Sequence, residues 1–195
     1  MNAALVLAAG GSSRLGRPKQ LEPWGGTTLL GHVLNVIEGI GFEECFLVLG
    51  AESEKVLDSV ELEGWTVVEN LEWAEGLASS LRVGLDAMTR LARSETAVLF
   101  LGDQPDIDPD VVRALLAAAR KTRRPAVVPK YRYTWANPVV VKKVLWPRLM
   151  SLTGDEGAKG LLQAHPDWVE EIWFERRPPR DVDTESDVSE LRPRQ

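Results

Sequence analysis

Apolar positions along the chain follow two periods. Short, nearly unbroken apolar runs occur at Leu5 to Ala8, Cys45 to Leu49, Thr66 to Glu69, Ala97 to Leu101, Ala126 to Val128, Pro138 to Val141 and Glu171 to Phe174. Runs of that length, bounded by turn residues, predict buried strands. Between them the period lengthens. From Thr28 to Ile40, the residues Leu29, Leu30, Val33, Leu34, Ile37 and Ile40 form one helical face, and Gly41 supplies a stop. A second helix is predicted from Leu77 to Ala92, with Leu77, Leu81, Leu85, Met88 and Ala92 along its stripe. A third opens with Asp108 as N-cap and Pro109 in the first turn. This alternation predicts an α/β fold, a mostly parallel mixed sheet flanked by helices.

Composition narrows the partners. A chain of 195 residues, 44% hydrophobic and 27% charged, suits one globular domain, 1–195. Its net charge of -6 offers no basic footprint for nucleic acid or an anionic membrane, but leaves room for a local cationic pocket. Cys45 is the single cysteine, which excludes an intramolecular disulfide and fits a reducing, cytoplasmic setting. The apolar stretch from Ala3 to Ala9 has no basic leader and is too short to span a bilayer. Arg176 to Arg180 and Leu191 to Gln195 are charged and proline-containing, so residues 176–195 are expected to form a partly flexible tail.

Chemistry concentrates where the first strand ends. Leu7, Ala8 and Ala9 lead into Gly10, Gly11, Ser12 and Ser13, followed by Arg14, Gly16 and Lys19. Glycines let a backbone turn tightly and bring its N–H groups against phosphate oxygens, and Arg14 and Lys19 add two positive charges. Cations placed there would stabilise the charge that a departing pyrophosphate gains. A Walker A loop is excluded, because Gly16 is followed by Arg17 and Pro18 where that loop needs Lys and Ser/Thr. A dinucleotide-binding turn is excluded too, because Pro18 and Pro23 interrupt the chain before any helix.

These residues resemble the molybdenum-cofactor nucleotidyltransferase family, within the wider group that includes the methylerythritol-phosphate cytidylyltransferases. That family's loop reads Leu-Ala-Ala/Gly-Gly-x-Ser-x-Arg-Met/Leu-Gly-x-x-Lys, matched here by Leu7, Ala8, Ala9, Gly10, Ser12, Arg14, Leu15, Gly16 and Lys19. The resemblance implies a single Rossmann-like nucleotidyltransferase domain, with Arg14 and Lys19 as catalytic residues and Leu7 to Arg14 and Lys19 as nucleotide ligands. Alanine at Ala9 accompanies cytidine nucleotides in the family and glycine accompanies guanosine nucleotides, which points to CTP.

A triphosphate travels with Mg²⁺, which takes oxygen ligands and often only one or two protein carboxylates. Asp103 lies just beyond the strand Val98 to Leu101, at the carboxyl end where open α/β sheets bind ligands. Asp181 and Asp183 fall on one side of an extended segment, so they form the second carboxylate source. Asp183 or Thr184 also suits the N-cap of a short terminal helix. The resemblance supports metal use, Mg²⁺ with Mn²⁺ as an alternative, since related proteins carry Asp-x-Asp-Thr-Pro-Glu-Asp where this chain has Asp181 to Asp187.

Asn70, Trp73, Gly76 and Ser80 match a family Asn-x-x-Trp-x-x-Gly-x-x-x-Ser motif, implying that Asn70, Gly76 and Ser80 contact the nucleotide. Read from composition, the same stretch is a capped helix with Trp73 as core filler. Gly154 to Leu162 resembles a motif of the molybdenum-cofactor cytidylyltransferases, implying Asp155 and Lys159 on the acceptor side, although Asp155 also suits a helix cap. The family's Gly-x-x-Gly-His-Pro is replaced by Thr134-Trp135-Ala136-Asn137-Pro138, so Asn137 stands as an acceptor contact that cannot titrate as His would. Tyr131, Tyr133 and Trp135 are candidates to stack on a planar acceptor. His32 and His165 lack metal-ligand spacing and read as structural, and no Gly-x-Ser-x-Gly elbow or Cys/His pair suggests a covalent enzyme. The implied reaction is CMP transfer from CTP to the phosphate of molybdopterin-type cofactor. The rivals are transfer to a sugar or polyol phosphate, use of GTP, and a non-catalytic cofactor carrier. A molybdoenzyme or its maturation chaperone is the further partner implied.

Overall fold

The computed structural model describes residues 1–192. The long apolar runs become the strands β1 (Asn2–Leu7), β4 (Glu44–Leu49), β5 (Trp65–Glu69), β6 (Thr96–Leu101), β7 (Ala126–Tyr131), β9 (Val139–Lys142) and β10 (Val169–Phe174). Two-residue strands β2 (Pro23–Trp24) and β3 (Thr27–Thr28) form a hairpin, and β8 (Thr134–Trp135) folds back on β7. The eight-stranded sheet runs β10-β7-β9-β6-β1-β4-β5, with β8 beside β7. β9 is antiparallel to both β6 and β7, and the other neighbours along that path are parallel.

The three anticipated helices form close to their predicted ends. α1 (Leu29–Glu38) starts at Thr28, whose side chain accepts from Gly31 N–H, and α3 (Leu77–Leu91) starts at Gly76. α4 (Pro109–Lys121) is capped by Asp108, whose carboxylate accepts from Asp110 N–H, with Pro109 in the first turn. The shorter helices α2 (Ser53–Ser59), α5 (Trp146–Met150) and α6 (Ala158–Ala164) were not legible from the pattern. Each spans too few turns for a helical period to stand out from chance. Gly157, rather than Asp155, holds the N-cap position of α6.

Helices cover both faces of the sheet. One core joins Leu5, Val48 and Leu99 to Leu81, Leu85 and Met88 of α3 and to Trp146 and Leu149 of α5. The other joins Val6, Leu47 and Phe100 to Val33 and Ile37 of α1 and to Val112 and Leu115 of α4. Alternating residues of β1 thus face opposite cores, as the two-residue strand period requires.

A third, smaller core decides the terminus. α7 (Glu185–Leu191) packs Val188 and Leu191 against Leu15, Trp24 and Leu29, and Val182 is fully buried there. Of the tail 176–195 expected to be partly flexible, residues 182–192 pack onto the rest of the chain. Apolar burial and the ion pairs of Arg17 with Glu22 and Glu185, and of Arg192 with Glu22 at 3.1 Å, hold that stretch down. The expectation for Pro193, Arg194 and Gln195 lies outside the described residues. No helix among the described residues is long and apolar enough to cross a membrane.

Candidate active site

Register brings the site together. Leu7 pairs with Leu101, so β1 and β6 end level, and Gly102 N–H donates to Leu7 C=O at 2.9 Å. The loops leaving the two strands therefore start in contact, and a Cβ on Gly102 would lie 2.7 Å from Ala8 Cβ. On the other side of β1, Ala51 N–H donates to Ala9 C=O at 3.0 Å. The carboxyl ends of β6 and β1 so form the floor of an open cleft of about 430 Å³.

The glycine-rich loop is held by its own polar groups. Gln20, 3% exposed, donates from its amide to Ala8 C=O and Gly10 C=O, each at 2.9 Å. Ser12 has φ of 52°, and its hydroxyl accepts from Lys19 N–H at 3.0 Å. Its carbonyl accepts from Leu15 and Gly16 N–H at 3.1 and 3.0 Å. These bonds tie up Ser12 within the loop, and neither Ser12 nor Ser13 lines the cleft. Leu7, Ala8, Ala9, Gly10, Gly11, Arg14 and Lys19 do line it.

Opposite charges from distant segments meet over this loop. Lys19 Nζ lies 2.5 Å from Asp103 Oδ2 and 2.9 Å from Asp183 Oδ1, and Arg14 reaches Asp183 Oδ2 at 3.0 Å. Asp181 accepts from the Gln104 amide at 2.7 Å. Val182 N–H donates to Asp103 C=O at 2.9 Å, anchoring the extended segment that carries both terminal aspartates into the cleft. Thr184 takes the N-cap of α7, forming a capping box with Asp187. That frees the Asp183 carboxylate for Lys19.

Burial pushes the Asp103 carboxyl up, against the pull of Lys19, and the nearby Asp181 and Asp183 push it the same way. For Lys19 burial works against the charge, but Asp103 and Asp183 outweigh it and raise the ammonium above its ordinary value. Asp103 Oδ1 is buried with no hydrogen-bond partner among the described residues. Among those residues no three His, Cys, Asp or Glu side chains already converge as a preformed metal site. Lys19 Nζ bridges Asp103 and Asp183 instead. The open oxygen of Asp103, with Asp181 and Asp183 nearby, is a donor set of hard oxygens that fits Mg²⁺ or Mn²⁺.

The second wall comes from the segment after β5. Asn70 is buried, donating to Ser79 and Ser80 hydroxyls at 2.8 and 3.0 Å, while its Oδ1 accepts from Glu72 N–H at 3.0 Å. It braces the wall from behind and does not line the cleft. Gly76 and Ser80 line it, and so does Trp73, at 39% exposure not the core filler that composition suggests. Gly76 has φ of 107°, and a Cβ there would strike Gly154 C=O at 2.5 Å. That close fit brings Asp155 into the cleft.

The other acceptor-side residues lie elsewhere. Lys159 is exposed on α6 and Asn137 is half-buried beside β9, and neither lines the cleft. None of the three aromatic candidates lines it either. Tyr131 is buried against Phe174, the Trp135 indole donates to Glu171 at 2.7 Å, and Tyr133 is wholly exposed on the hairpin. His32 Nε2 sits 3.3 Å from Pro105 C=O, and His165 stacks on Trp168. Gln20 and Gln104 escaped the sequence reading. Each directly follows a candidate charged residue, a weak signal, and only the fold shows that their amides are turned inward.

Known proteins share this frame. Nicotine blue oxidoreductase of Paenarthrobacter nicotinovorans is 32% identical over 181 residues, covering 86% of this chain and 84% of that protein. The chain also matches GlmU proteins, bifunctional by name, and spans 27% of the length of the one from Mycolicibacterium paratuberculosis. The crystal structure of Rv0371c from Mycobacterium tuberculosis superposes with a TM-score of 0.86 at 35% identity, over 97% of this chain and 96% of that one. Its manganese complex superposes with a TM-score of 0.81 at 33% identity, over 97% of each chain. Residues 4–169 match the MobA-like NTP transferase domain, and the chain belongs to that nucleotidyltransferase family.

Proposed function

We propose that this chain transfers CMP from CTP to the phosphate of a molybdopterin-type molybdenum cofactor, releasing pyrophosphate, with Mg²⁺ or Mn²⁺ as the working ion. The observation that carries the reading is the meeting of Lys19 and Arg14 with Asp103 and Asp183 over the glycine loop, in one cleft. Asp103, Asp181 and Asp183 would hold the ion, and the manganese complex of Rv0371c supports the use of a divalent ion on this frame. When bound, the ion neutralises triphosphate charge and polarises the reacting phosphoryl oxygens.

The chain's own groups do the rest. Backbone N–H groups of Gly10 and Gly11 cradle the phosphates, and Lys19 and Arg14 bind the β- and γ-phosphates. An acceptor phosphate oxygen forms a bond to the α-phosphorus as the α–β bridging P–O bond breaks. The two cations stabilise the extra charge on the departing pyrophosphate. Ala9, in the loop beside Gly50, supports the choice of CTP through the family pattern. Asp155, which lines the cleft beside Gly76, is the candidate for contact with the acceptor.

Purified protein is supplied with Mg²⁺, molybdenum cofactor and each of CTP, GTP and ATP, and products are identified by mass alongside pyrophosphate release. A cytidine dinucleotide product is expected. Absence of any dinucleotide product would sink the assignment, and a product from GTP alone would refute the base. The oxidoreductase name of the Paenarthrobacter relative favours a second reading, a redox reaction on the same frame. Turnover in an assay that supplies both an electron donor and an electron acceptor, without pyrophosphate release, would favour it.

A further inference from the structure

The cleft is polarised along its length. At one end are Arg14, Lys19, Asp103, Asp181 and Asp183; at the other are Trp73, Ala74, Gly76, Leu77 and Ser80, with Asp155 against Gly76. Trp73 is a large, partly exposed apolar residue on this wall, whereas Leu57, Leu71, Leu91, Tyr133, Val144 and Trp173 are exposed away from the cleft. We propose that the Trp73 indole is the stacking platform for the nucleobase of the triphosphate, an inference that rests on the nucleotide-transfer reading.

Three observations carry it. First, the indole is fixed in place. A Cβ on Gly11 would lie 2.9 Å from Trp73 Cζ3, and one on Gly50 would lie 2.7 Å from Trp73 Cβ, so glycine at both positions lets the ring seat against the backbone. A ring seated this way meets a flat partner without first losing rotamer freedom. Second, the span is right. Asp103 follows β6 and Gly50 follows β4, and the strand order β6-β1-β4 puts them two strand spacings apart, about 10 Å. A nucleotide bridges a distance of that order between its α-phosphate and its base. Third, the polarity fits, since the two lining cations, Arg14 and Lys19, gather with Asp103 and Asp183, while the Trp73 end is lined by Ala74, Gly76 and Leu77 with Ser80 and Asp155 as its polar side chains. The aromatic residues of the β7–β8 hairpin lie away from the cleft and leave Trp73 as the flat apolar surface in it.

The test compares Trp73→Leu and Trp73→Phe with the unaltered protein, measuring CTP and inorganic tripolyphosphate affinity in Mg²⁺ by calorimetry and following indole emission. Leucine fills space without a π face. Trp73→Leu is expected to weaken CTP about ten-fold, the scale of one base–aromatic stack, and to leave tripolyphosphate affinity unchanged. Trp73→Phe is expected to keep most CTP affinity while losing the quench of emission that CTP causes in the unaltered protein. Unchanged CTP affinity in Trp73→Leu would overturn the proposal. So would a parallel loss of CTP and tripolyphosphate, which would make Trp73 a brace for Gly11. Failure of the unaltered protein to bind any nucleotide would overturn the transfer reading and this proposal with it, whereas the Trp73→Leu outcomes bear on this proposal alone.

Discussion

Lys19 shows how one residue changes meaning between sequence and structure. In a glycine-rich loop, a lysine is expected to be solvated and to matter to turnover but little to stability. Its side chain is instead 16% exposed and bridges Asp103 and Asp183. Removing it leaves two partly buried carboxylates facing each other with no cation between them. Lys19→Met should therefore cost about 1–3 kcal/mol of stability in chelator, less than the roughly 3–5 kcal/mol of a broken fully buried pair, because Asp103 and Asp183 keep some solvent access. Added Mn²⁺ should return much of that loss, whereas turnover should stay about 100-fold down because the transition-state cation is gone. Melting in chelator and in Mn²⁺ measures the first effect and steady-state kinetics the second. An unchanged melting temperature in chelator would show that the ammonium is not what holds the carboxylates.

Two elements carry predictions of their own. Within α3, Gly84 is an apparent weakness, since glycine to alanine in a helix usually gains about 1 kcal/mol. Here a Cβ would lie 2.7 Å from Leu5 Cδ1 and 2.9 Å from Val48 Cγ2, so helix and sheet approach more closely than alanine allows. Overpacking of this kind costs about 1–3 kcal/mol and wins, so Gly84→Ala should lower the denaturation midpoint. In α7 the Thr184–Asp187 capping box fixes the first turn next to Asp183. Thr184→Ala should cost about 1 kcal/mol. The Thr184 hydroxyl, with the backbone N–H groups of Asp183 and Thr184, holds the Asp187 carboxyl below its ordinary value of 3.8. A depressed carboxyl contributes stability that is present above its unfolded value and lost as pH falls through the folded one. The contribution should disappear on acidification below 3.8, and a Thr184→Ala chain should show a weaker acid dependence there.

At the scale of the molecule, the charged cleft is mounted on three cores. Two cover the sheet faces, and the third joins the glycine loop and β2–β3 hairpin to the terminal segment through Leu15, Trp24, Val182 and Val188. The third is small and contributes no strand to the main sheet. A chain ending at Arg180 should therefore retain the far-UV circular dichroism of the sheet and melt at lower temperature. Trp24, 2% exposed in the intact chain, should show red-shifted emission. Loss of Asp181 and Asp183 should remove divalent-ion binding at the cleft, measured by Mn²⁺ titration. Undiminished Mn²⁺ binding would place the ion elsewhere.

The order of residues along the chain carries the layered α/β frame and the place of the glycine loop, because both are written in local features. A strand period, a helical period, an N-cap such as Asp108 and a stop such as Gly41 need only neighbouring residues to be read. It also brought Asp103 to a strand's carboxyl end and Asp181 and Asp183 to one side of an extended stretch. Tertiary structure alone decided which charges meet. Lys19 finds Asp103 and Asp183 across separations of 84 and 164 residues, a pairing that no local pattern contains. It also turned Gln20 and Gln104 inward, placed Asn70 behind the wall it was expected to line, and brought Trp73 into the cleft. Each depends on shape and burial, which arise only when the sheet brings the ends of β1, β4 and β6 side by side.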